Sequence, residues 1–231
     1  MTSIKFYNET LTRTKVVNNI LRVFDATTKA ERSANWYKNA YDFCFNMAFE
    51  HNVYCEDNES KKISVIQACA ICAALSPVTS WTRNMDLVNE FLNNYRLNDP
   101  LKTKCLGLSK SKALEIAELD PKTFMYNDIQ AILNGSKITA FFNNIWKHLT
   151  SKDVTVDRHA LSIALGIKLS NDQFKTHSMT KKQYKFFAEC YSLAANKRNV
   201  TPLQMQAITW DFWRINGVEF QKELKNILKL K

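Results

Sequence analysis

Hydrophobic residues recur every three to four positions along most of this chain, which is the spacing of amphipathic α-helices. The segment 64–75 is the most apolar stretch, and we expect it to be central in the fold. Gln206, Trp210 and Trp213 share one helix face, a pattern more typical of a core than of a site. The predicted helices are 30–49, 64–75, 81–95, 109–119, 137–149, 157–165, 180–197, 202–215 and 218–230.

Residues that start or stop helices mark the ends of these segments. Pro77 stops the apolar segment because proline disfavours helical geometry at the residue before it. Thr201 and Pro202 start a helix, with a hydroxyl at the N-cap and proline at the first helical position. Gly217 predicts a break between the last two helices.

Glycine and proline are scarce, with four of each in 231 residues. Such sparse turn signals favour long helices and argue against a many-turned β protein, so we predict an all-α fold. The length allows one large domain or two closely associated subdomains with a real core. The formal net charge of +10 favours a polyanionic partner, and nucleic acid is the obvious candidate.

The sequence also bears on cellular location and on metals. The first residues lack the apolar stretch of a signal peptide, and no apolar run reaches the roughly 18 residues of a membrane span. The six cysteines lack the spacing of a secreted disulfide scaffold, so we expect reduced thiols, a cytoplasmic location and no membrane partner. Cys69 and Cys72 form a C-x-x-C pair without a second ligand pair, so we predict core packing and no metal.

Residues 133–160 contain two features that can bind or act on a substrate. A tight turn at Gly135 opens a helix, and backbone N–H groups at such a start bind phosphate. Gly135 is expected to supply the positive φ of this turn, and Lys137 adds a nearby cation. Asp157, in the stretch V-D-R-H, opens the next helix. A carboxylate at this place is an N-cap, and it can also stabilise positive charge on a reacting sugar.

Three segments resemble the helix-hairpin-helix (HhH-GPD) DNA glycosylase superfamily, in the order that this family uses. The segment I-C-A-A-L-S-P resembles the family's apolar helix ending in L-L-S-x-Q. The segment G-L-S-K-S-K-A resembles its G-x-x-x-x-K-A element, and residues 133–159 resemble its L-P-G-V-G hairpin followed by V-D-T-H. The resemblance implies a two-subdomain helical fold with a central cleft. Residues 1–64 and 166–231 would form one subdomain, and residues 65–165 would hold the hairpin and the catalytic Asp.

The resemblance also implies a function and roles for named residues. The chain would be a monomeric DNA glycosylase-like enzyme that flips a modified or damaged base out of double-stranded DNA and cleaves its N-glycosidic bond. Asp157 would be the catalytic carboxylate. DNA contacts would come from Asn134, Gly135, Ser136, Lys137 and Thr139. The pocket would be bordered by Ser76, Trp81, Asn84 and His159.

The chain departs from the family pattern at several positions. A gap-free register puts Thr139 where bifunctional members carry a Schiff-base lysine, so a monofunctional enzyme is favoured. A register shifted by two residues would instead make Lys137 the nucleophile. Val78 stands where the family has a DNA-contacting Gln. Cys190 is the only cysteine after Cys105, so the resemblance does not extend to the family's iron–sulfur cluster, and we expect no cofactor.

Two other functions are also consistent with the sequence. Stretches such as A-L-S-P-x-T-S-W and V-T-V-D-R-H are similar to small phage-encoded relatives of this superfamily, for which the host cytoplasm would be the location. Some of those relatives are thought to modify bases rather than excise them, so a base-modifying enzyme is one alternative. The other is a DNA-binding module without catalysis, since a fold does not determine a function.

Overall fold

Helices dominate the computed structural model, which describes residues 2–6, 9–32, 35–176 and 179–229. The predicted all-α character is confirmed: these residues form twelve α-helices and one two-stranded antiparallel sheet. None of the described helices is both long and apolar enough to cross a membrane. In chain order the elements are β1 (Ser3–Phe6), β2 (Glu9–Thr12), α1 (Arg13–Asp25), α2 (Lys29–Arg32), α3 (Trp36–Tyr54), α4 (Val65–Leu75), α5 (Trp81–Arg96), α6 (Gly107–Ala117), α7 (Tyr126–Leu133), α8 (Ser136–Trp146), α9 (Arg158–Leu165), α10 (Asn171–Thr176), α11 (Lys181–Lys197) and α12 (Pro202–Lys229).

The chain divides into two compact units. Unit 1 consists of Met1–Trp36 and Thr150–Lys231, and unit 2 consists of Tyr37–Leu149. These bounds differ from the expected division at both ends of the middle segment. Residues 37–64 belong to the middle unit rather than to the termini, and residues 150–165 belong to the terminal unit.

Contacts of α9 explain why residues 150–165 belong to unit 1. This helix packs on α1 and α12, which come from the two ends of the chain. The hydroxyl of Tyr191 donates a hydrogen bond to the carbonyl of Ala160 at 2.9 Å. Asn19 Nδ2 donates to the carbonyl of Ala164 at 3.0 Å, close to the point where Gly166 ends the helix with a left-handed φ of 72°. The start and the end of α9 are therefore both held by unit 1.

Helix α4 is the centre of unit 2. It packs on α5, α6, α7 and α8, and every residue from 67 to 75 is buried, as the apolar pattern predicted. Ser64 and Gln67 form a capping box at its start. The Gln67 amide also donates to the carbonyls of Ile116 and Leu119, both at 2.9 Å, and so ties α4 to the end of α6.

The predicted break at Gly217 is wrong, because a single helix, α12 (Pro202–Lys229), includes this residue. Gly217 lies against the indole of buried Trp213, and a Cβ at this position would come within 3.0 Å of two ring carbons. The glycine therefore provides space for the ring and does not end the helix. The predicted helix end at Leu230 falls outside the described residues.

Other boundaries also differ from the pattern. The segment predicted as one helix, 30–49, contains residues of both α2 and α3, and Asn35 directly before α3 is not helical. The sheet, α1, α7 and the short helix α10 were absent from the predicted set. In the sheet, Ile4 lies opposite Leu11, and Thr12 then caps α1 by accepting from the Lys15 N–H.

Gly217→Ala is expected to lower the free energy of unfolding by about 1 kcal/mol, because the methyl group overpacks the indole and outweighs the better helix propensity of alanine. The matched control is Gly107→Ala at the first residue of α6, where a Cβ meets no atom within 4 Å. We expect this control to raise the free energy of unfolding by about 0.5 kcal/mol. Urea denaturation measures both, and equal effects of the two variants would contradict the assigned role of Gly217.

Candidate functional site

Asp157 is the N-cap of α9, and both of its carboxylate oxygens are held by hydrogen bonds. Oδ1 accepts from the Ala160 backbone N–H at 2.8 Å. Oδ2 accepts from the indole N–H of Trp210 at 2.8 Å. The side chain is half-buried. Each carboxylate oxygen can accept a second hydrogen bond, so the group is fixed in direction and can still bind another donor.

The chain segment before Asp157 is also fixed. The Tyr184 hydroxyl donates to the carbonyl of Val154 at 2.7 Å and accepts from the N–H of Val156 at 3.1 Å. Val154 and Val156 are both buried in the core of unit 1. Asp157 is therefore positioned by the segment that precedes it and by the helix that follows it.

An aromatic wall lies beside the carboxylate. The ring of Trp210 is 6.0 Å from the ring of Trp36 and 5.8 Å from that of His159, the latter in an edge-to-face arrangement. The guanidinium of Arg214 lies 5.6 Å from the centre of the Trp210 ring. These three rings are half-buried. The surroundings of Asp157 thus combine an apolar surface with a nearby cation.

The surroundings of His159 lower the pKa of its imidazole. Burial lowers the pKa of its imidazole, the neighbouring Asp157 carboxylate acts in the opposite direction, and the Arg158 guanidinium lowers the pKa further. Nε2 lies 3.1 Å from Arg158 Nη2. Because a guanidinium only donates hydrogen bonds, we assign the ring proton to Nδ1. Nδ1 is buried and has no hydrogen-bond partner in the described part of the chain.

In the region of the predicted hairpin, a connection of two residues joins α7 to α8. The backbone geometry corrects the expectation for Gly135. Its φ of 168° is an extended conformation, and the left-handed residue is Asn134, with φ 37° and ψ 72°. Asparagine adopts this region more readily than most residues, so Asn134 makes the turn.

The start of α8 is exposed. Gly135 is its N-cap and offers no side-chain hydrogen bond to the first turn. Asn134, Gly135 and Ser136 are exposed, whereas Lys137 and Thr139 are half-buried. Free backbone N–H groups at an exposed helix start are suited to an anion.

The G-x-x-x-x-K-A element contacts this hairpin. The Lys112 amine donates a hydrogen bond to the carbonyl of Leu133, the last residue of α7. Two of the sequence segments that resembled one family are therefore in direct contact within unit 2. A cation at the end of a helix is also favoured by the helix dipole.

The residues expected to border a pocket lie around the turn between α4 and α5. Ser76 ends α4 and donates from its hydroxyl to the carbonyl of Ala73 at 2.8 Å. Trp81 begins α5, and its ring is 5.9 Å from that of Phe43. Asn84 is only 2% exposed, and its amide donates to the carbonyl of Cys72 at 3.1 Å, so it belongs to the core.

Val78 adopts an unusual backbone conformation in this turn. Its φ is 62°, in the left-handed region that a β-branched residue rarely occupies, and its side chain is 83% exposed. It is the position at which the resembled family has a DNA-contacting Gln.

The candidate residues are divided between the two units. Asp157 and His159 lie in unit 1, whereas Ser76, Trp81, Asn84 and the hairpin residues 134–139 lie in unit 2. Within unit 1, the structure brings Asp157 and His159 to the same indole ring. Among the described residues, no three His, Cys, Asp or Glu side chains are grouped as metal ligands would be.

Comparison with known proteins gives a family. Residues 2–216 match DUF7178, which is described as a family of unknown function. The chain belongs to DUF7178. The match includes both the hairpin and Asp157 of this DUF7178 protein. No curated protein and no solved structure matches it.

Trp210 is the residue of this DUF7178 site that the sequence pattern did not identify. Its helix face predicted core packing, and Gln206 and Trp213 on that face are indeed buried. The Trp210 indole instead reaches Asp157, which is 53 residues away in the chain. No local spacing signals a contact over this separation.

Proposed function

We propose that this chain is a DNA glycosylase-like enzyme that flips a modified or damaged base from the duplex and cleaves its N-glycosidic bond with the help of Asp157. The observation that carries the proposal is the carboxylate of Asp157, which is held at a helix start by two donors at 2.8 Å. The resemblance of residues 133–159 to HhH-GPD glycosylases supports the same assignment.

The chemistry of glycosidic cleavage suits a fixed carboxylate. As the bond between the base and the sugar breaks, its electron pair leaves with the base and positive charge develops on the sugar. A carboxylate held in place beforehand stabilises this charge without having to reorganise. The remaining acceptor capacity of Asp157 can orient a water molecule, whose hydroxyl adds to the sugar carbon while its proton neutralises the departing base.

The exposed start of α8 supports DNA as the substrate. The exposed residues Asn134, Gly135 and Ser136 surround the first turn of α8, which has no side-chain cap, and a DNA phosphate is an anion of suitable size. Lys137 adds a positive charge one residue into the helix. We propose that these residues hold the DNA backbone and that Thr139 supports them from the same helix.

Lys137 is proposed to contact DNA and not to form a Schiff base. Its amine makes no hydrogen bond or ion pair within the described residues, so no contact there prepares it as a nucleophile. Borohydride trapping on an abasic duplex tests this assignment. We expect no covalent adduct, and an adduct that disappears in Lys137→Ala would show lyase activity.

The deciding experiment is mass spectrometry of free bases released from a panel of damaged and phage-modified duplexes. Release of one base class would support the proposal and name the substrate. A changed base that stays attached to the strand would indicate a base-modifying enzyme. DNA binding without either outcome would indicate a module without catalysis.

A further inference from the structure

The net positive charge of this protein lies in unit 1. Unit 1 contains 20 Lys and Arg residues and 10 Asp and Glu residues, whereas unit 2 contains 12 of each class. The whole formal charge of +10 therefore lies in unit 1, which also contains Asp157. At long range a polyanion is therefore attracted more strongly to unit 1 than to unit 2, whose formal charge is zero.

Half of the acidic residues in unit 1 are paired with a cation within the described part of the chain. These pairs cancel charge locally, so the excess lies elsewhere on the surface. The pairs are Arg13–Glu189, Lys15–Glu9, Arg198–Asp25, Arg214–Asp211 and Lys222–Glu219.

A cluster of unpaired lysines lies at the start of α11. Lys181, Lys182 and Lys185 fall within its first five residues, and all three are exposed and make no ion pair among the described residues. Lys5 of β1 joins them, because the intervening Gln183 donates from its amide to the Lys5 carbonyl at 3.0 Å. We call Lys5, Lys181, Lys182 and Lys185 the lysine patch.

The arrangement of the lysine patch is unfavourable for the free protein. Lysines in the first turn of a helix face the positive end of the helix dipole. Lys181 and Lys185 are one turn apart, and like charges at this spacing repel. An anion bound over the helix start would offset both the unfavourable interaction with the helix dipole and the repulsion between the lysines. An anionic partner therefore explains this arrangement.

The patch is connected to the carboxylate site. Tyr184 lies between Lys182 and Lys185 in the sequence, and its hydroxyl holds Val154 and Val156, the latter directly before Asp157. The same helical turn therefore carries the cations and fixes the segment that leads to the carboxylate.

We propose that the lysine patch is a second DNA-binding surface, which contacts the sugar–phosphate backbone of the duplex independently of the hairpin. The choice of DNA as the polyanion rests on the proposed function. Contacts of this kind position the duplex and are independent of base sequence.

The test measures binding to a fluorescent duplex by anisotropy over a range of salt concentrations. The triple variant Lys181→Gln, Lys182→Gln and Lys185→Gln should bind about tenfold more weakly, and the slope of log affinity against log salt should fall by about 2 to 3. The control variant, Lys29→Gln, Lys197→Gln and Lys222→Gln, removes the same charge from exposed positions elsewhere in unit 1.

Equal weakening by the two triple variants would overturn the proposal, because net charge alone would then explain the binding. Salt-insensitive binding of the wild-type chain would overturn it as well. If the wild type releases a base and the patch variant binds DNA as tightly as the wild type, the lysine patch is not a DNA-binding surface, and the proposed function stands. If DNA binding depends on the patch but no base is released, the lysine patch is supported and the proposed function is refuted. Thermal melts check folding, and removal of like charges should not lower the melting temperature.

Discussion

Replacement of Asp157 by asparagine is expected to reduce base release by about 10³-fold while DNA affinity stays within about twofold of the wild type. The substitution keeps the shape and the N-cap oxygen but removes the charge that stabilises the developing cation on the sugar. Single-turnover release of free base measures the chemical step, and anisotropy measures binding. We expect a small loss of stability, because one amide oxygen replaces two carboxylate acceptors.

The matched control for this variant is Asp153→Asn. Asp153 is an exposed carboxylate in the same segment, four residues earlier, so its replacement makes the same change of charge outside the helix cap. Base release should be unchanged by it. If Asp157→Asn retained full release in a folded protein, the catalytic assignment of Asp157 would be wrong.

Trp210→Phe is expected to slow base release by about 10- to 100-fold, because one lost hydrogen bond to a charged group corresponds to about 1.5–3 kcal/mol. Phenylalanine keeps an aromatic ring against Trp36 but cannot donate to Asp157 Oδ2. Among the residues that the structure describes, the carboxylate then retains the Ala160 N–H as its one fixed partner. We expect the rate of the chemical step to fall and the dissociation constant for DNA to stay the same.

Two further variants distinguish a positioning role of Trp210 from a structural role. Trp213→Phe is the same chemical change one turn further along α12, at an indole whose N–H has no partner among the described residues. It should affect stability more than rate. In the Asp157→Asn background, Trp210→Phe should have little further effect on the rate. Independent, additive losses would show that Trp210 acts only through packing.

Local signals predicted much of the fold. The apolar run of α4 gave its extent and its central place, because a helix that is hydrophobic on all sides must be buried. Asp157 was predicted to begin a helix, and its side chain does accept from the Ala160 N–H. In both places the information lies within a few consecutive residues.

Features that depend on distant contacts were not predictable in this way. The break expected at Gly217 follows from helix propensity, but the indole of Trp213 requires the glycine for space. The unit boundaries depend on α9 packing against both ends of the chain. The hydrogen bond between Trp210 and Asp157 joins residues whose spacing carries no periodic signal. Tertiary packing decides each of these.

The turn between α7 and α8 bears on how distant relatives of this chain can be recognised. A search pattern that demands glycine as the second residue of the hairpin tests a position whose extended backbone suits any amino acid. The restrictive position is the one before it, where Asn134 stands and where glycine, asparagine or aspartate are the residues that substitute without strain. Relatives that have lost Gly135 but keep a small polar residue at the preceding position can therefore retain the same turn.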